Sequence, residues 1–310
     1  MQICFIFPGQ GSQAVGMGRS LHEQFDSVKA LYAAASDALG YDVAALSFEG
    51  PAEELNKTHI TQPCLLTASI AAFTVLGERG IVPHVVAGHS LGEFSALVAA
   101  GSIDFRDAVR LVETRGRIMQ DAVPAGTGLM AAILGLDRDQ LDEICASVTS
   151  GYVGVANYNC PGQTVISGEK TAVEAAMVKA KEAGAKRALP LAVSVPSHCR
   201  LMTEAGTRFA DLLNRIQVKD ASIRFVNNVD AAFISSSDAI RTSLTRQLSL
   251  PVLWEDCITT IASVGTTTFV EVGPGKVLCG LVKRNAPAAA CMNVEDPDSL
   301  MKTVEGLRGQ

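Results

Sequence analysis

The sequence predicts an α/β fold whose main domain has a largely parallel sheet and carries a smaller, inserted domain. Apolar strands alternate with helices in both end regions of the 310-residue chain, which is typical of a parallel sheet covered by helices. The middle region has the order βαββαβ instead, which is typical of a ferredoxin-like unit. Hydrophobic residues make up 48% and charged residues 19% of the chain, so we expect a sizeable core and no extensive disorder.

The individual strands and helices are predicted from the hydrophobic period, with caps, glycines and prolines marking their ends. In the first region we expect a strand at 3–7, helices at about 18–39 and 62–78, a strand at 85–87, and helices at 92–100 and about 104–123. In the middle region we expect strands at 129–134, 152–157, 164–167 and 186–193, with helices at 137–148 and 169–183. In the last region we expect a helix near 201–216, a strand at 223–229, two short helices around 238–264, a strand at 267–272 and a final helix from about 275. Pro63 suits the first turn of its helix, and Gly101 is a natural C-terminal stop.

These elements divide into two intimately joined domains. Residues 1–125 and 198–310 are expected to form an α/β-hydrolase-like catalytic domain, which is discontinuous in sequence. Residues 126–197 are expected to form the inserted ferredoxin-like subdomain. The chain would therefore cross between the domains twice, once on each side of the insertion.

Charge and cysteine usage exclude several classes of protein. The net charge of −6 argues against general nucleic-acid binding, which needs a basic footprint. We find no signal peptide and no apolar run of membrane-spanning length, so we expect a soluble, cytoplasmic protein. No long apolar helix is left over, so we expect a monomer. The eight cysteines have neither C-x-x-C nor zinc-like spacing, and we expect free buried thiols in a reducing compartment. They are Cys4, Cys64, Cys145, Cys160, Cys199, Cys257, Cys279 and Cys291.

The segment 88–92, Gly-His-Ser-Leu-Gly, fits the G-x-S-x-G pattern of a nucleophilic serine. It lies between a predicted buried strand and a helix, where the two glycines permit a sharp turn that exposes the Ser90 hydroxyl. The following helix directs its positive N-terminus at any oxyanion that develops there. The backbone amide of Leu91 is therefore the first candidate oxyanion donor. The alternative is an ordinary glycine-containing turn.

A serine nucleophile needs a base, and His198 is the only histidine that follows Ser90 in the chain. This is the order found in α/β-hydrolases. The alternative for any lone histidine is a satisfied structural residue, which is how His22, His59 and His84 are interpreted. The aspartates between Ser90 and His198 resemble helix-start or surface residues, so a carbonyl oxygen instead of a carboxylate would hold the imidazole.

Arg115 lies on the apolar side of the helix predicted from residue 104. Leu111, Val112 and Met119 bracket it at helical spacing, while other charged residues take the opposite face. An inward arginine stays charged and needs an anionic or multiply hydrogen-bonded partner. Arg115 could pair with a carboxylate of the protein in an internal salt bridge, or it could bind a substrate carboxylate bidentately. A third possibility is that its side chain snorkels, with the charged end reaching water. With an acyl-serine, the second interpretation implies an acyl group that carries its own carboxylate.

Together these residues resemble the malonyl-CoA:acyl-carrier-protein transacylase family, of the free-standing fatty-acid-synthesis type, along nearly the whole chain. The matching segments are 7–13 (FPGQGSQ), 88–93 (GHSLGE), 115–116 with 119–120 (RG and MQ), 155–159 (VANYN), 195–198 (VPSH), Gln247 before Pro251, and 272–275 (VGPG). Phe94 stands where the family often has tyrosine, and both are aromatic.

The resemblance implies roles for particular residues. Ser90 would be the nucleophile, His198 the general base and acid, and Arg115 the ligand of the malonyl carboxylate. The amides of Gln10 and Leu91 would form the oxyanion hole, and the main-chain carbonyl of Gln247 would orient His198. The acyl pocket would be lined by Met119, Asn159 and Ser197.

The resemblance also implies the substrates. A malonyl group would pass from malonyl-CoA to acyl carrier protein in fatty-acid biosynthesis, with ping-pong kinetics and without a metal or other cofactor. The acidic carrier protein would dock on a local basic patch, for which Lys276, Lys283 and Arg284 are candidates; a solvated helix face is the alternative.

Three other classes of protein compete with this interpretation. A thioesterase or carboxylesterase of α/β-hydrolase type shares the serine elbow, but it predicts an acidic third residue and gives Arg115 no purpose. A non-catalytic coenzyme A or carrier-protein binding module has no need for Ser90 and His198. A nucleotide-binding site is excluded because the segment 273–276 lacks the P-loop spacing.

Overall fold

The fold contains two β-sheets, one of six strands and one of four. The structure is a computed structural model, which describes residues 2–124, 126–191, 193 and 195–309. The strands are β1 Gln2–Phe7, β2 Val85–Gly88, β3 Gly128–Leu134, β4 Val153–Cys160, β5 Gln163–Glu169, β6 Arg187–Pro190, β7 Arg224–Val226, β8 Phe233–Ile234, β9 Thr266–Val272 and β10 Ala290–Val294.

Helices cover both sheets. In the first part they are α1 Arg19–Gln24, α2 Asp26–Leu39, α3 Val43–Phe48, α4 Ala52–Leu55, α5 Thr58–Glu78, α6 Gly92–Ala99 and α7 Phe105–Ala122. In the second part they are α8 Arg138–Ala146, α9 Lys170–Glu182, α10 Thr203–Leu213, α11 Ser237–Gln247, α12 Trp254–Ser263, α13 Val277–Asn285 and α14 Pro297–Arg308, with a 3-10 turn at Arg200–Met202.

The six-stranded sheet has the order β10-β9-β1-β2-β7-β8, and all its pairings are parallel except β7 with β8. The carboxyl ends of β1, β2 and β7 therefore meet at one edge of the sheet, where ligands bind in open α/β sheets. Nearly every residue of β1 and β2 is buried, as expected for central parallel strands covered on both faces. The largely parallel main sheet predicted from the sequence is confirmed.

The four-stranded sheet is antiparallel, with the order β4-β5-β3-β6. Its elements follow one another as β3, α8, β4, β5, α9 and β6, which is the predicted βαββαβ order. Strand β4 also reaches the larger unit, because Tyr158 N donates to Val252 O and Val252 N to Ala156 O. This backbone pairing attaches one side of the small sheet beside α12.

Helix α5 is buried on almost every side, with sixteen buried residues among its 21. By length and composition it is apolar enough to cross a membrane, which the sequence analysis did not expect, but 83% of its most apolar window lies inside the protein. We therefore describe α5 as a core helix. Its first turn begins at Thr58, so the prediction that Pro63 lies in the first turn is wrong.

Two further differences from the predicted elements lie near the two ends of the chain. The helix expected over 18–39 is interrupted because Phe25 is extended, with φ −120° and ψ 120°, and it becomes α1 and α2. The final helix expected from 275 stops at Asn285, and β10 and α14 follow. A capping box at Asp296 and Ser299, with Pro297 in the first turn, marks the start of α14. That start signal was present in the sequence but was overlooked.

The expectation of eight free cysteines is wrong for one pair. Cys279 in α13 and Cys291 in β10 form a disulfide, with 5.5 Å between their Cα atoms. They are brought together because α13 packs against β10, although no sequence motif marks them. The other six cysteines are free and buried, as predicted.

Candidate active site

The serine turn predicted at 88–92 connects β2 to α6 at the carboxyl edge of the main sheet. Ser90 has a φ of 52°, in the left-handed region, and its N–H donates to Asn228 Oδ1 at 2.8 Å. Both glycines are required by close approach. A Cβ on Gly88 would lie 1.9 Å from the Gly92 carbonyl carbon, and one on Gly92 would lie 2.0 Å from Phe7 O. The turn is thus packed directly against the end of β1.

His198 reaches Ser90 across the fold. Its Nε2 lies 2.7 Å from Ser90 Oγ, and its Nδ1 lies 2.8 Å from the main-chain O of Gln247. Because a carbonyl only accepts, Nδ1 carries the proton, and Nε2 is left to accept from the serine hydroxyl. Burial, and then the positive charge of Arg115, lower the pKa of His198 to about 3. The imidazole is therefore unprotonated at neutral pH, and its Nε2 lone pair is available to the serine hydroxyl.

Each of the other histidines has a structural partner. His89 Nε2 lies 2.9 Å from Asn159 Oδ1, His59 Nδ1 bonds to Gln120 Oε1, and His84 Nδ1 accepts from Ile3 N. His22 packs against the rings of Tyr32 and Phe48. Asp104 and Asp137 cap the starts of α7 and α8, as their positions in the sequence suggested.

Gln10 and Leu91 are the residues whose backbone amides were predicted to form an oxyanion hole. Both residues line the same cavity as Ser90. Neither amide donates a hydrogen bond to another residue in the described part of the chain. The Gln10 side chain is held separately, since its Nε2 donates to Thr58 Oγ1 at 3.3 Å. Both amides are free to donate to a bound oxygen.

Arg115 is buried, with 1% of its surface exposed, as the helical pattern predicted. Its Nη1 donates to Gln62 Oε1 at 2.9 Å and its Nη2 to Gln247 Oε1 at 2.8 Å, while the guanidinium lies 5.3 Å from the Phe94 ring centroid. Burial lowers the pKa of Arg115 to about 10, and the nearby charge of Glu93 opposes that shift.

The internal salt bridge considered for Arg115 is not formed among the described residues. In the described part of the chain, no carboxylate lies within ion-pairing distance of the Arg115 guanidinium. The buried Nε of Arg115 has no hydrogen-bond partner among the described residues. The guanidinium instead lines the cavity that contains Ser90 and His198. A buried cation without an anionic partner is a strong attractor for a substrate carboxylate.

The cavity has a volume of about 110 Å³ and mixed walls. Its apolar wall is formed by Met119, Met130, Leu191, Val193 and Val195, and its polar wall includes Thr58, Asn157 and Ser197. Two of the predicted lining residues, Met119 and Ser197, are on these walls. Asn159 is not: its Oδ1 lies 2.9 Å from His89 Nε2, and Asn157, two residues earlier on β4, lines the cavity instead.

Sequence reasoning missed three polar residues that hold this arrangement together. Gln62 accepts from Arg115, Asn228 bridges Ser90 N and Gly88 O, and Glu93 receives bonds from Asn228 N and Gln247 Nε2. All three are completely or almost completely buried. The available signal was a polar residue inside an apolar segment, the same signal that identified Arg115.

Comparison with known proteins identifies the family of this chain. Residues 4–296 match the family described as acyl transferase domain. The malonyl CoA-acyl carrier protein transacylase of Escherichia coli strain K12 is 51% identical over 306 residues, covering 98% of this chain and 99% of that protein. The chain belongs to the malonyl-CoA:acyl-carrier-protein transacylase family. The enzyme of the same name from Haemophilus influenzae is 50% identical over 309 residues, with 99% of both chains covered.

Solved structures of the transacylase family have the same fold. A malonyl-transacylase in complex with its type II PKS acyl-carrier protein has a TM-score of 0.97 and 50% identity, covering 99% of this chain and 100% of that one. An acyl carrier protein S-malonyltransferase from Vibrio cholerae has a TM-score of 0.96 and 49% identity, covering 98% and 100%. The resemblance found in the sequence motifs is confirmed. Among the described residues, no group of His, Cys, Asp or Glu side chains is arranged to hold a metal ion.

Proposed function

We propose that this protein is an [acyl-carrier-protein] S-malonyltransferase, which moves a malonyl group from malonyl-CoA to the phosphopantetheine thiol of acyl carrier protein. The observation that carries the proposal is the shared cavity. A serine hydroxyl 2.7 Å from a neutral histidine faces the same space as a buried arginine without a carboxylate partner. The first pair forms an acyl-enzyme, and the arginine selects an acyl group that ends in a carboxylate.

The first half-reaction acylates the enzyme. Ser90 Oγ attacks the thioester carbon of malonyl-CoA while His198 Nε2 takes the hydroxyl proton. The tetrahedral oxyanion accepts hydrogen bonds from the amides of Gln10 and Leu91, and each such donor contributes about 3–4 kcal/mol. When the intermediate collapses, the C–S bond breaks and the imidazolium returns its proton to the departing thiolate. Because a thiol has a pKa of about 8.5, this leaving group needs little acid assistance.

The second half-reaction regenerates the enzyme. The phosphopantetheine thiol gives its proton to His198 and attacks the malonyl ester of Ser90. The C–O bond breaks, and the proton passes back to Ser90 Oγ. Two half-reactions through one covalent intermediate give ping-pong kinetics. All the groups needed are side chains and amides of this chain, so the proposal includes no cofactor.

We assign the domains as the sequence analysis divided them. The main sheet with its serine turn is α/β-hydrolase-like and spans 1–125 and 198–310, and 126–197 is a ferredoxin-like insertion. The strand order β4-β5-β3-β6 supports the second assignment, since it places the first and third strands of the insertion at the centre. We expect the enzyme to be a cytoplasmic monomer that serves fatty-acid biosynthesis.

The basic patch proposed for carrier-protein docking centres on α13. Lys283 is exposed, and Lys276 is exposed with its Nζ 3.8 Å from Glu295. Arg284 has a different task, since its two Nη atoms donate to Gln163 Oε1 and Pro161 O and hold the β4–β5 turn against α13. We therefore assign the docking charge to Lys283 and Lys276 and an interdomain contact to Arg284.

Intact-protein mass spectrometry after mixing with malonyl-CoA or acetyl-CoA tests the proposal. A malonyl-sized adduct is expected on the wild type, none on Ser90→Ala, and a sharply reduced amount on Arg115→Ala. Normal malonyl labelling of Arg115→Ala would contradict the carboxylate role of the arginine. Consumption of thioester by an enzyme that never labels and ignores carrier protein would indicate a hydrolase instead.

A further inference from the structure

Glu93 is a completely buried acid in the first turn of α6, three residues after Ser90, and the mechanism above does not use it. Its two carboxylate oxygens each accept one hydrogen bond. Oε1 accepts from Asn228 N at 3.1 Å, and Oε2 accepts from Gln247 Nε2. Both partners are donors, so the two bonds favour a carboxylate that accepts on both oxygens.

The side-chain amide of Gln247 joins Glu93 to both halves of the catalytic site. Its Nε2 donates to Glu93 and, at 3.0 Å, to the main-chain O of Ser90, while its Oε1 accepts from Arg115 Nη2 at 2.8 Å. The main-chain O of the same residue lies 2.8 Å from His198 Nδ1.

Only one orientation of this amide satisfies its partners. A guanidinium has donors alone, whereas a carboxylate and a carbonyl have acceptors alone. Turning the amide over would set its NH₂ group against the Arg115 guanidinium and its oxygen against two acceptors. The amide orientation therefore follows from the chemistry of Arg115 on one side and Glu93 on the other.

We propose that Glu93 is a positioning residue for substrate selection: it fixes the Gln247 amide so that Oε1 faces Arg115 and aligns the guanidinium for the malonyl carboxylate. Glu93 touches neither the substrate nor the reacting atoms, and it acts through Gln247. The inference rests on the proposed role of Arg115 as the carboxylate ligand.

The substitution Glu93→Gln isolates this role because it preserves the shape of the side chain and removes one acceptor. The carboxamide can accept from Asn228 N or from Gln247 Nε2, but it cannot accept from both. Asn228 is held at the end of β7, with its side chain bonded to Ser90 N and Gly88 O. The mismatch is therefore taken up by the Gln247 side chain, which turns over and withdraws its oxygen from Arg115.

The test measures the rate of Ser90 acylation by rapid quench and intact-protein mass spectrometry. The rate is followed as a function of concentration, for malonyl-CoA and acetyl-CoA separately. Glu93→Gln is expected to lower the second-order rate constant for malonyl-CoA by about ten- to a hundredfold, mainly through weaker binding, as loss of one bond to a charged group does. Acetyl-CoA has no carboxylate, and its rate is expected to change by less than about threefold.

A matched control is available in Glu271→Gln. Glu271 is also completely buried and accepts two hydrogen bonds, but its donors are Leu278 N and Cys279 N at the start of α13. This variant is expected to keep the wild-type ratio of malonyl to acetyl rates. Gln247→Met, which removes the amide that joins Glu93 to Arg115, is expected to lower the malonyl rate at least as much as Glu93→Gln does, and Glu93→Gln combined with it should add nothing further.

An equal fall in the rates for both substrates, or an unchanged malonyl rate, would overturn the positioning role of Glu93. An additive double variant would show that Glu93 does not act through Gln247. If Glu93→Gln does not fold, Glu93→Met removes both acceptors at nearly constant volume and the same substrate split is expected. A wild type that forms no Ser90 adduct would refute the proposed function itself, and the role of Glu93 with it.

Discussion

Ser90 and His198 share a backbone conformation that residues with a side chain rarely adopt. Their φ angles are 52° and 58°, and each is secured by a hydrogen bond of its own N–H: to Asn228 Oδ1 from Ser90, and to Leu248 O from His198. The left-handed region costs about 1 kcal/mol for a non-glycine residue, so such residues persist where surrounding structure holds them. Here that structure brings a hydroxyl and an imidazole into contact.

The low pKa of His198 leads to a prediction about acid tolerance. With a pKa of about 3, the imidazole stays unprotonated, and therefore a base, throughout the range from pH 8 to 5. We expect the rate of Ser90 acylation at saturating malonyl-CoA to be nearly constant over that range. A histidine with an ordinary pKa near ~6.5 would be mostly protonated at pH 5 and would lower the rate about thirtyfold. Rapid-quench mass spectrometry at each pH measures this directly.

Malonyl-CoA must be saturating because the carboxyl group of Glu93, which lies near Arg115, titrates between pH 8 and 5. Burial raises the pKa of Glu93 to about 7, so binding of malonyl-CoA has a pH dependence of its own. Burial lowers the pKa of His89, the histidine next to Ser90. Circular dichroism at each pH serves as the control for folding. A rate that falls tenfold per pH unit below 6.5 while the fold is intact would contradict the unprotonated state of His198.

At the scale of elements, α5 and α7 cross closely enough to require a glycine. A Cβ on Gly116 would lie 2.5 Å from His59 Cα, in the first turn of α5. Arg115 is the neighbour of that glycine on α7, and Gln62 lies one turn further along α5. The crossing thus sets the separation of the two side chains that form the Arg115–Gln62 hydrogen bond.

We therefore expect Gly116→Ala to force α7 away from α5. Overpacking of this kind destabilises by about 1–3 kcal/mol, measurable by urea unfolding. Malonyl labelling of Ser90 should slow as well, because Arg115 moves with the helix. Gly280→Ala in α13 is the matched control, since a Cβ there meets no atom within 4 Å. That helical substitution should stabilise by about 0.5–1 kcal/mol. Equal stability of the two variants would show that the crossing can relax.

Several elements of the fold could be predicted from the sequence, and others could not. The inward direction of Arg115 was predicted because α7 keeps a regular apolar stripe over five turns. Strands β1 and β2 were predicted because they consist almost entirely of apolar residues. Strand β10 was missed because it is a partly exposed sheet edge without a continuous apolar run. The break at Phe25 was missed because residues on both sides continue one helical pattern.

At the scale of the whole molecule, the site is assembled from distant parts of the chain. Five of its residues come from four helices and the end of a strand: Gln62, Glu93, Arg115, Asn228 and Gln247. Ser90 and His198 could be proposed as nucleophile and base from the sequence, because the serine pattern is local and only one histidine follows it. The contacts among the supporting residues could not be predicted, because they depend on how α5, α6, α7 and α11 pack and no short-range pattern encodes that packing.

The arrangement of charge over the molecule bears on the carrier protein. The chain has a net charge of −6, so an acidic partner is repelled overall and needs a local positive surface. We expect that surface on helix α13, whose last residue Asn285 donates to Asn159 O, while Asn159 in turn contacts His89 at the cavity. Of its cations, Lys283 is exposed, whereas Arg284 is bonded to the small sheet.

Lys283→Glu is expected to lower the rate of malonyl transfer to carrier protein several-fold at low salt, with the difference shrinking as salt screens the charges. Acylation of Ser90 by malonyl-CoA should stay at the wild-type rate, because that half-reaction does not involve the carrier protein. The matched control is Lys29→Glu, which makes the same charge reversal on α2. That helix packs against α5 and α7 instead of the cleft. Equal transfer by both variants at low salt would show that docking uses another surface, whereas loss of acylation in Lys283→Glu would show that the substitution disturbs the cleft itself.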